Sequence, residues 1–156
     1  MKSDHSKIGA LMKMAIEVYE ERIPFNRFLG MHVESLQLDQ ALVRFEMRDE
    51  LVGNYVRGIL HGGVISAVLD TTGGMLASVG VLNRLADAPM DEMTKRLYMV
   101  GTIDLRIDYL RPGRGDFFCA RSTIMRVGRK VAVTRMELHN ERDVLIAVGT
   151  GTYMIG

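Results

Sequence analysis

One stretch of this sequence, residues 58–82, limits what the chain can fold into more than any other. Apart from Asp70 it has no formally charged side chain, and it reads as a helix that is apolar on every side. Such a helix must be enclosed by protein or lie in a lipid bilayer. A carboxylate at the centre of a bilayer costs roughly 3 kcal/mol, and His61 and several glycines also disfavour a membrane span. We therefore expect a buried helix in which the costly Asp70 has a function.

Length and charge restrict the kind of protein further. The chain has 156 residues, the usual size of one domain, so residues 1–156 are expected to form a single domain. With 20 basic and 19 acidic residues the formal net charge is +1, which offers no field to attract nucleic acid or an anionic membrane. A single cysteine, Cys119, excludes an intrachain disulfide, and the charged N-terminus lacks the apolar core of a signal peptide. These features predict a cytoplasmic protein.

The helices follow from hydrophobic periodicity. Residues 3–22 carry apolar side chains at three- and four-residue spacing, which predicts an N-terminal helix within an extension over residues 1–29. The long apolar helix is expected at about residues 60–85. Charged residues and Pro89 follow it and predict a connecting loop over residues 86–96.

Alternation of apolar and polar side chains predicts the strands. Six are expected, over residues 31–38, 42–47, 100–110, 116–127, 131–139 and 144–154. In the clearest of them, strict alternation places Thr102 and Asp104 on the face opposite Ile103 and Leu105. The order of elements predicts an α+β fold, in which a six-stranded antiparallel sheet wraps around one long central helix, with an additional N-terminal helix.

The helix begins with His61-Gly62-Gly63, which suggests a binding site for an oxyanion. The first N–H groups of a helix have no internal partner and lie at the positive end of the helix dipole. Glycines there allow a ligand to approach the backbone closely. A short motif of this kind is also compatible with a tight turn and a capping or core histidine.

Asp70 favours the functional interpretation. Gly73 and Gly74 follow it by three and four residues, on the same helical face. Each glycine costs the helix about 1 kcal/mol relative to alanine, so a gain in packing or access is expected to offset it. We expect these glycines to open the surface beside the carboxylate to a substrate or to a second backbone.

The spacing of Gly62 and Asp70 predicts a homodimer. Eight residues of helix separate them, which is about 12 Å and too far for both to act on one carbonyl carbon. Two such helices placed antiparallel across a two-fold axis would bring Asp70 of one chain towards Gly62 of the other. We therefore expect two composite sites.

These residues together resemble a known family. Leu60-His61-Gly62-Gly63 is followed by Asp70, with Asn54 upstream and residues 102–112 downstream. Over roughly residues 27–154 the sequence resembles the hotdog-fold acyl-CoA thioesterases of the PaaI-like subgroup, and within it the YigI-like proteins. The resemblance implies a hotdog fold, a homodimer usually paired into a tetramer, and hydrolysis of an acyl-CoA thioester to a carboxylic acid and coenzyme A.

The resemblance also implies roles for individual residues. Asp70 matches the acidic residue that acts as nucleophile or general base, and Gly62 matches the residue whose N–H polarises the thioester carbonyl. His61 matches the motif histidine near the sulfur, and Thr102 a position that orients water. Asn54 matches an asparagine that positions the water or the acid. The family pattern places that asparagine six residues before the histidine, whereas Asn54 precedes His61 by seven.

The remaining expectations concern the substrate. No cofactor is expected, since coenzyme A is part of the substrate. Its phosphates could be bound by basic turns, and we favour Arg129 and Lys130 over Arg111 and Arg114. Two other functions stay open, namely a hotdog hydratase or dehydratase acting on enoyl thioesters and a noncatalytic acyl-CoA binding module. Methionines of the N-terminal helix, with Met75, could line an acyl tunnel or belong to the core.

Overall fold

The computed structural model describes residues 2–85 and 87–156 and shows a long helix enclosed by an antiparallel sheet. In chain order the strands are β1 (His32–Leu36), β2 (Gln40–Glu46), β3 (Val52–Asn54), β4 (Ile59–Leu60), β5 (Gly101–Tyr109), β6 (Phe117–Val127), β7 (Val131–Asn140) and β8 (Leu145–Met154). Six of them form one sheet in the order β1-β2-β6-β7-β8-β5, while β3 and β4 form a separate hairpin before the helix. The predicted α+β fold with six antiparallel strands is confirmed.

The helices are α1 (Lys2–Glu17), α2 (Pro24–Leu29), α3 (Gly62–Gly80) and α4 (Met90–Tyr98), of which α3 is the central one. Its side chains Leu69, Met75 and Leu76 are fully buried against strand residues such as Phe118 and Met136. The helix is long and apolar enough to cross a membrane, but 61% of its apolar 18-residue segment is buried within the protein. Enclosure by the sheet therefore accounts for its apolar circumference.

The N-terminal extension contains two helices where the sequence predicts one. The α-helix stops at Glu17, and Val18–Arg22 forms a single π-helical turn. Pro24 then begins α2, because its fixed φ suits the first turn of a helix, and Gly30 ends it with a left-handed φ of 69°.

The expectation of a loop over residues 86–96 is wrong for most of its length, because α4 occupies Met90–Tyr98. Met93 and Leu97 are buried on one face of this helix, and its many charges lie on the other. The acidic residues of the first turn and the basic residues of the last turn also complement the helix dipole. The central helix is accordingly shorter than expected and passes into a 3-10 turn, Leu82–Leu85.

A β-bulge interrupts the alternation of β5 near its start. The register with β8 shifts between Thr102 and Asp104, so Thr102 faces the central helix and Ile103 is 58% exposed. Strict alternation, which placed Thr102 on the face opposite Leu105, is therefore wrong at this position. Bulges commonly re-aim a side chain next to a functional site.

Candidate active site

Asp70 lies in the middle of α3, half-buried, and is hydrogen-bonded to the sheet. The hydroxyl of Thr102 donates to Oδ1 of Asp70 at 2.9 Å. The bulge in β5 makes this contact possible, because it turns Thr102 towards the helix. The structure thus brings together two of the site residues predicted from the sequence.

Two tyrosines flank the Asp70 position. The hydroxyl of Tyr153, on β8, donates to the backbone carbonyl of Asp70 at 3.0 Å. Burial, reinforced by the charge of Asp70, raises the pKa of Tyr153 above its ordinary range. Burial likewise raises the pKa of Tyr19 to about 12, with a smaller contribution from the charge of Asp70. Both phenols are therefore neutral at physiological pH and can donate hydrogen bonds.

The two glycines after Asp70 have different roles. A Cβ atom at Gly73 would collide with the hydroxyl of Tyr153 and approach that of Thr134 to 2.7 Å, so Gly73 allows the helix to pack on the sheet. Of the two gains expected from these glycines, packing and access, Gly73 provides packing, because that side of the helix faces β7 and β8. Gly74 does line the cleft beside Asp70, although its Cβ would also press on the ring of Tyr153, at 3.3 Å.

Asp70 opens onto a cleft of about 240 Å³ between the central helix, the sheet and the N-terminal extension. Among the described residues that line this cleft, Asp70 is the one charged side chain. The lining consists of Tyr19, Ile23, Phe25, Asn26, Asp70, Thr71, Gly74, Val100, Thr102 and Tyr153. A carboxylate that faces such a cleft can take a proton from a water molecule bound beside it.

The start of α3 has the features of an oxyanion site. His61 is the N-cap, and its Nδ1 accepts a hydrogen bond from the N–H of Gly63 at 2.8 Å. Within the described part of the chain the N–H of Gly62 has no acceptor, while the Gly62 carbonyl accepts from the hydroxyl of Tyr109 at 3.1 Å. An unpaired N–H at the positive end of a helix is suited to polarising a carbonyl oxygen.

Asn54 lies at this same end of the helix and is exposed at the end of β3. Its Oδ1 accepts a hydrogen bond from the N–H of Arg57 at 3.1 Å, which stabilises the turn between β3 and β4. Within one chain the predicted catalytic residues therefore form two groups. Asn54, His61 and Gly62 lie at the helix start, whereas Asp70 and Thr102 lie about 12 Å further along the helix.

Comparison with known proteins decides the family. The family model of the thioesterase superfamily matches residues 57–147, which include the helix start, Asp70 and Thr102. The chain belongs to the thioesterase superfamily. It is 46% identical over 145 residues to the Escherichia coli K12 protein named medium/long-chain acyl-CoA thioesterase YigI, covering 93% of this chain and 94% of the relative.

Solved structures agree with this assignment. A Shewanella oneidensis protein related to the thioesterase superfamily is 44% identical, with a TM-score of 0.92 over 96% of this chain and 97% of that one. The Escherichia coli PaaI protein from the phenylacetic acid degradation operon has a TM-score of 0.75 at 18% identity over 93% of each chain, which shows the fold alone. The hotdog fold and thioester hydrolysis implied by the sequence resemblance are thus confirmed.

Sequence reasoning missed three tyrosines of this thioesterase, Tyr19, Tyr109 and Tyr153. Tyr153, buried on β8, and Tyr109, half exposed at the end of β5, both donate hydrogen bonds to backbone carbonyls of α3. Tyr153 gave a usable signal, because a tyrosine among buried positions needs a hydrogen-bond partner for its hydroxyl. Tyr19 gave no such signal, because it appears as one more apolar position of the N-terminal helix.

Proposed function

We propose that this thioesterase hydrolyses acyl-CoA, with medium- and long-chain acyl groups as its substrates. The observation that carries the proposal is the Asp70 carboxylate, held by Thr102 in a cleft whose other described walls are uncharged. Uncharged walls that include Ile23, Phe25 and Val100 suit an aliphatic chain, and the carboxylate can activate water beside it. The similarity to YigI, whose name specifies medium- and long-chain acyl-CoA, supports the chain length.

Hydrolysis adds water to the thioester carbonyl carbon and breaks the C–S bond. In one route Asp70 takes a proton from the attacking water; in the other it attacks the carbon itself, and water then hydrolyses the anhydride. Both routes pass through an oxyanion, for which we propose the Gly62 N–H as donor. Thr102 then orients Asp70 or the water, and coenzyme A leaves as a thiolate that takes up a proton. No cofactor enters either route.

We further propose that each site is shared between two chains. Strand β5 is an edge of the sheet, so its outer backbone groups are free to pair with a second copy. Ile103, Tyr109 and Leu110 are at least half exposed on or beside this edge. Pairing of two β5 edges around a two-fold axis would set the two α3 helices antiparallel, with Asn54, His61 and Gly62 of one chain near Asp70 of the other. Two such dimers would form the tetramer.

A panel of short, medium, long and aryl acyl-CoA substrates tests the reaction, with release of free thiol as the measurement. We expect turnover to be highest for medium and long chains and hydration of an enoyl-CoA to be undetectable. Hydration without thiol release would instead identify a hydratase, which needs a histidine with the carboxylate. Binding of acyl-CoA without turnover would identify a noncatalytic module.

For the phosphates of coenzyme A we propose the turn between β6 and β7. Arg129 and Lys130 are exposed there beside a groove that Arg126 also lines, and no carboxylate is among the described lining residues. The pairing of Val131 with Met154 and of Met154 with Gly101 places this turn at the Thr102 end of the sheet. By contrast, Arg111 and Arg114 donate to backbone carbonyls and fasten loops.

The double substitution Arg129→Ala with Lys130→Ala is expected to raise KM for acyl-CoA about tenfold or more while leaving kcat unchanged, because bonds to charged phosphate are lost far from the carbonyl. Steady-state kinetics at low and moderate salt measure this. Arg142→Ala, which removes an exposed cation from the turn between β7 and β8, is the control and should leave KM unchanged. An unaltered KM in the double variant contradicts the assignment.

We place the reaction in the cytoplasm. Cys119 is a free, partly buried thiol, and burial raises its pKa, which is typical of an unreactive cysteine in a reducing compartment.

A further inference from the structure

One wall of the cleft beside Asp70 precedes the residues that the family model matches. Its far side is formed by the N-terminal extension, through Tyr19, Ile23, Phe25 and Asn26, which precede the matched residues 57–147. Starting from the carboxylate, the cleft therefore runs away from the helix start and ends against residues of this extension.

A second, separate cavity lies behind Tyr19. It is almost wholly apolar and measures about 20 Å³, little more than the roughly 10–15 Å³ that one water-sized guest requires. Its lining is Met14, Ala15, Val18, Tyr19, Ser78, Leu97 and Tyr98. Tyr19 lines both this cavity and the Asp70 cleft and therefore lies between them.

The position of Tyr19 is fixed by its surroundings. Its carbonyl accepts a hydrogen bond from Nδ2 of the buried Asn26 at 2.9 Å. The carboxylate of the next residue, Glu20, accepts from the N–H of Val33 and so ties the π-helical turn to β1. The Tyr19 side chain is largely buried and lies beside Ser78 of α3. A side chain enclosed in this way, on a backbone held by Asn26, forms a wall of the cleft.

We propose that Tyr19 is the floor of the acyl pocket and sets the longest acyl chain that this thioesterase accepts. The proposal rests on the proposed acyl-CoA hydrolysis, and the occupant is the distal end of a saturated acyl chain. With the thioester carbonyl at Asp70, the chain can extend only along the uncharged walls of the cleft, where it meets the Tyr19 ring. The space behind that ring is apolar but too small to use while the ring is in place.

Tyr19→Ala should join the two spaces and lengthen the preferred chain. Burial of each additional methylene, about 0.8 kcal/mol, corresponds to about a fourfold gain in kcat/KM. In each protein, kcat/KM for an acyl chain two methylenes longer than the wild-type optimum is divided by kcat/KM for the chain of optimal length. This ratio should be about tenfold or more higher in Tyr19→Ala than in the wild type. Saturated fatty acids are the reaction products and bind without turnover. Their dissociation constants should show the same change of preference towards longer chains in Tyr19→Ala.

Three controls separate this role from a general loosening of the fold. Tyr19→Phe keeps the ring and should keep the wild-type chain-length limit. Tyr98→Ala opens the rear cavity from its exposed side without touching the Asp70 cleft, and it should also keep the limit. Ala15→Leu, added to Tyr19→Ala, refills the rear cavity and should return the optimum to shorter chains. Should Tyr19→Ala not fold, Tyr19→Leu shortens the side chain while preserving its apolar packing.

Identical chain-length profiles for the wild type and the shortened variants, in both hydrolysis and fatty-acid binding, would overturn the inference. Hydrolysis by the wild type with no shift in the variants contradicts the role of Tyr19 alone. Absence of hydrolysis in the wild type contradicts the proposed function, and the fatty-acid binding profiles then decide the role of Tyr19 independently.

Discussion

Asp70→Asn is expected to remove thioester hydrolysis almost completely, with kcat reduced by roughly 10²- to 10⁴-fold. The amide has the shape of the carboxylate and can still accept the hydrogen bond from Thr102, so the fold around it should be unchanged. It can neither take a proton from water nor attack the carbonyl carbon, and both routes of hydrolysis therefore fail. Thiol release under saturating acyl-CoA, with substrate binding measured in parallel, checks the result.

The thermal stability of this variant provides a second measurement. A half-buried carboxylate is costly to the fold, and active sites commonly carry such a cost. The melting temperature of Asp70→Asn should therefore equal or exceed that of the wild type. Asp39→Asn makes the same chemical change in the exposed turn between β1 and β2 and should leave turnover intact. Turnover near the wild-type level in Asp70→Asn would refute the central role of this carboxylate.

The overall fold could be predicted because the pattern of apolar and polar residues reflects which side chains are buried. Apart from Asp70, residues 58–82 carry no charged side chain, as expected for a helix enclosed by the sheet, and the long strands alternate as half-buried strands do. Their ends are found within a few residues of the expected positions, for example β7 at Val131–Asn140 against residues 131–139. In these segments local pattern and tertiary environment require the same structure.

Errors arose where tertiary contacts override the local pattern. Helix α4 reads as a charged loop because only Met93 and Leu97 mark its buried face. The two-residue alternation of β5 does not reveal its bulge, yet this bulge turns Thr102 towards Asp70. From the sequence, Gly73 is interpreted as an opening for substrate. In the structure a glycine is required there because a Cβ would collide with Tyr153, eighty residues later in the chain.

The candidate site was predictable in part. The cost of burying Asp70 and the chemistry of a helix start are local properties, so both could be proposed from the sequence. The resemblance to a family added Thr102, which local pattern had placed on the other face of the strand. The wall formed by Tyr19 depends on how the N-terminal extension packs on α3, and no periodicity in the sequence specifies that packing.

The start of α3 allows the oxyanion donor to be removed without altering the helix. Gly62 is the first helical residue, where proline is well tolerated, and His61 has φ −67° and ψ 135°, which suit a residue before proline. A Cβ at Gly62 would lie 3.5 Å from the Tyr109 ring, an ordinary contact. Gly62→Pro should therefore fold normally and lose only the N–H, lowering kcat by roughly 10²- to 10³-fold. Gly62→Ala adds a Cβ but keeps the N–H, so it should lose far less activity.

Mixing the two inactive variants tests whether the sites are shared. In a heterodimer of one Asp70→Asn chain and one Gly62→Pro chain, shared sites place both substitutions in one site and leave the other intact. The purified heterodimer should then recover about half of the wild-type activity, and an equal random mixture about a quarter. If Asp70 and Gly62 of the same chain served one site, every site would carry one defect and mixing would restore nothing. Recovery on mixing therefore depends on the arrangement of the chains and not on the identity of the chemical step.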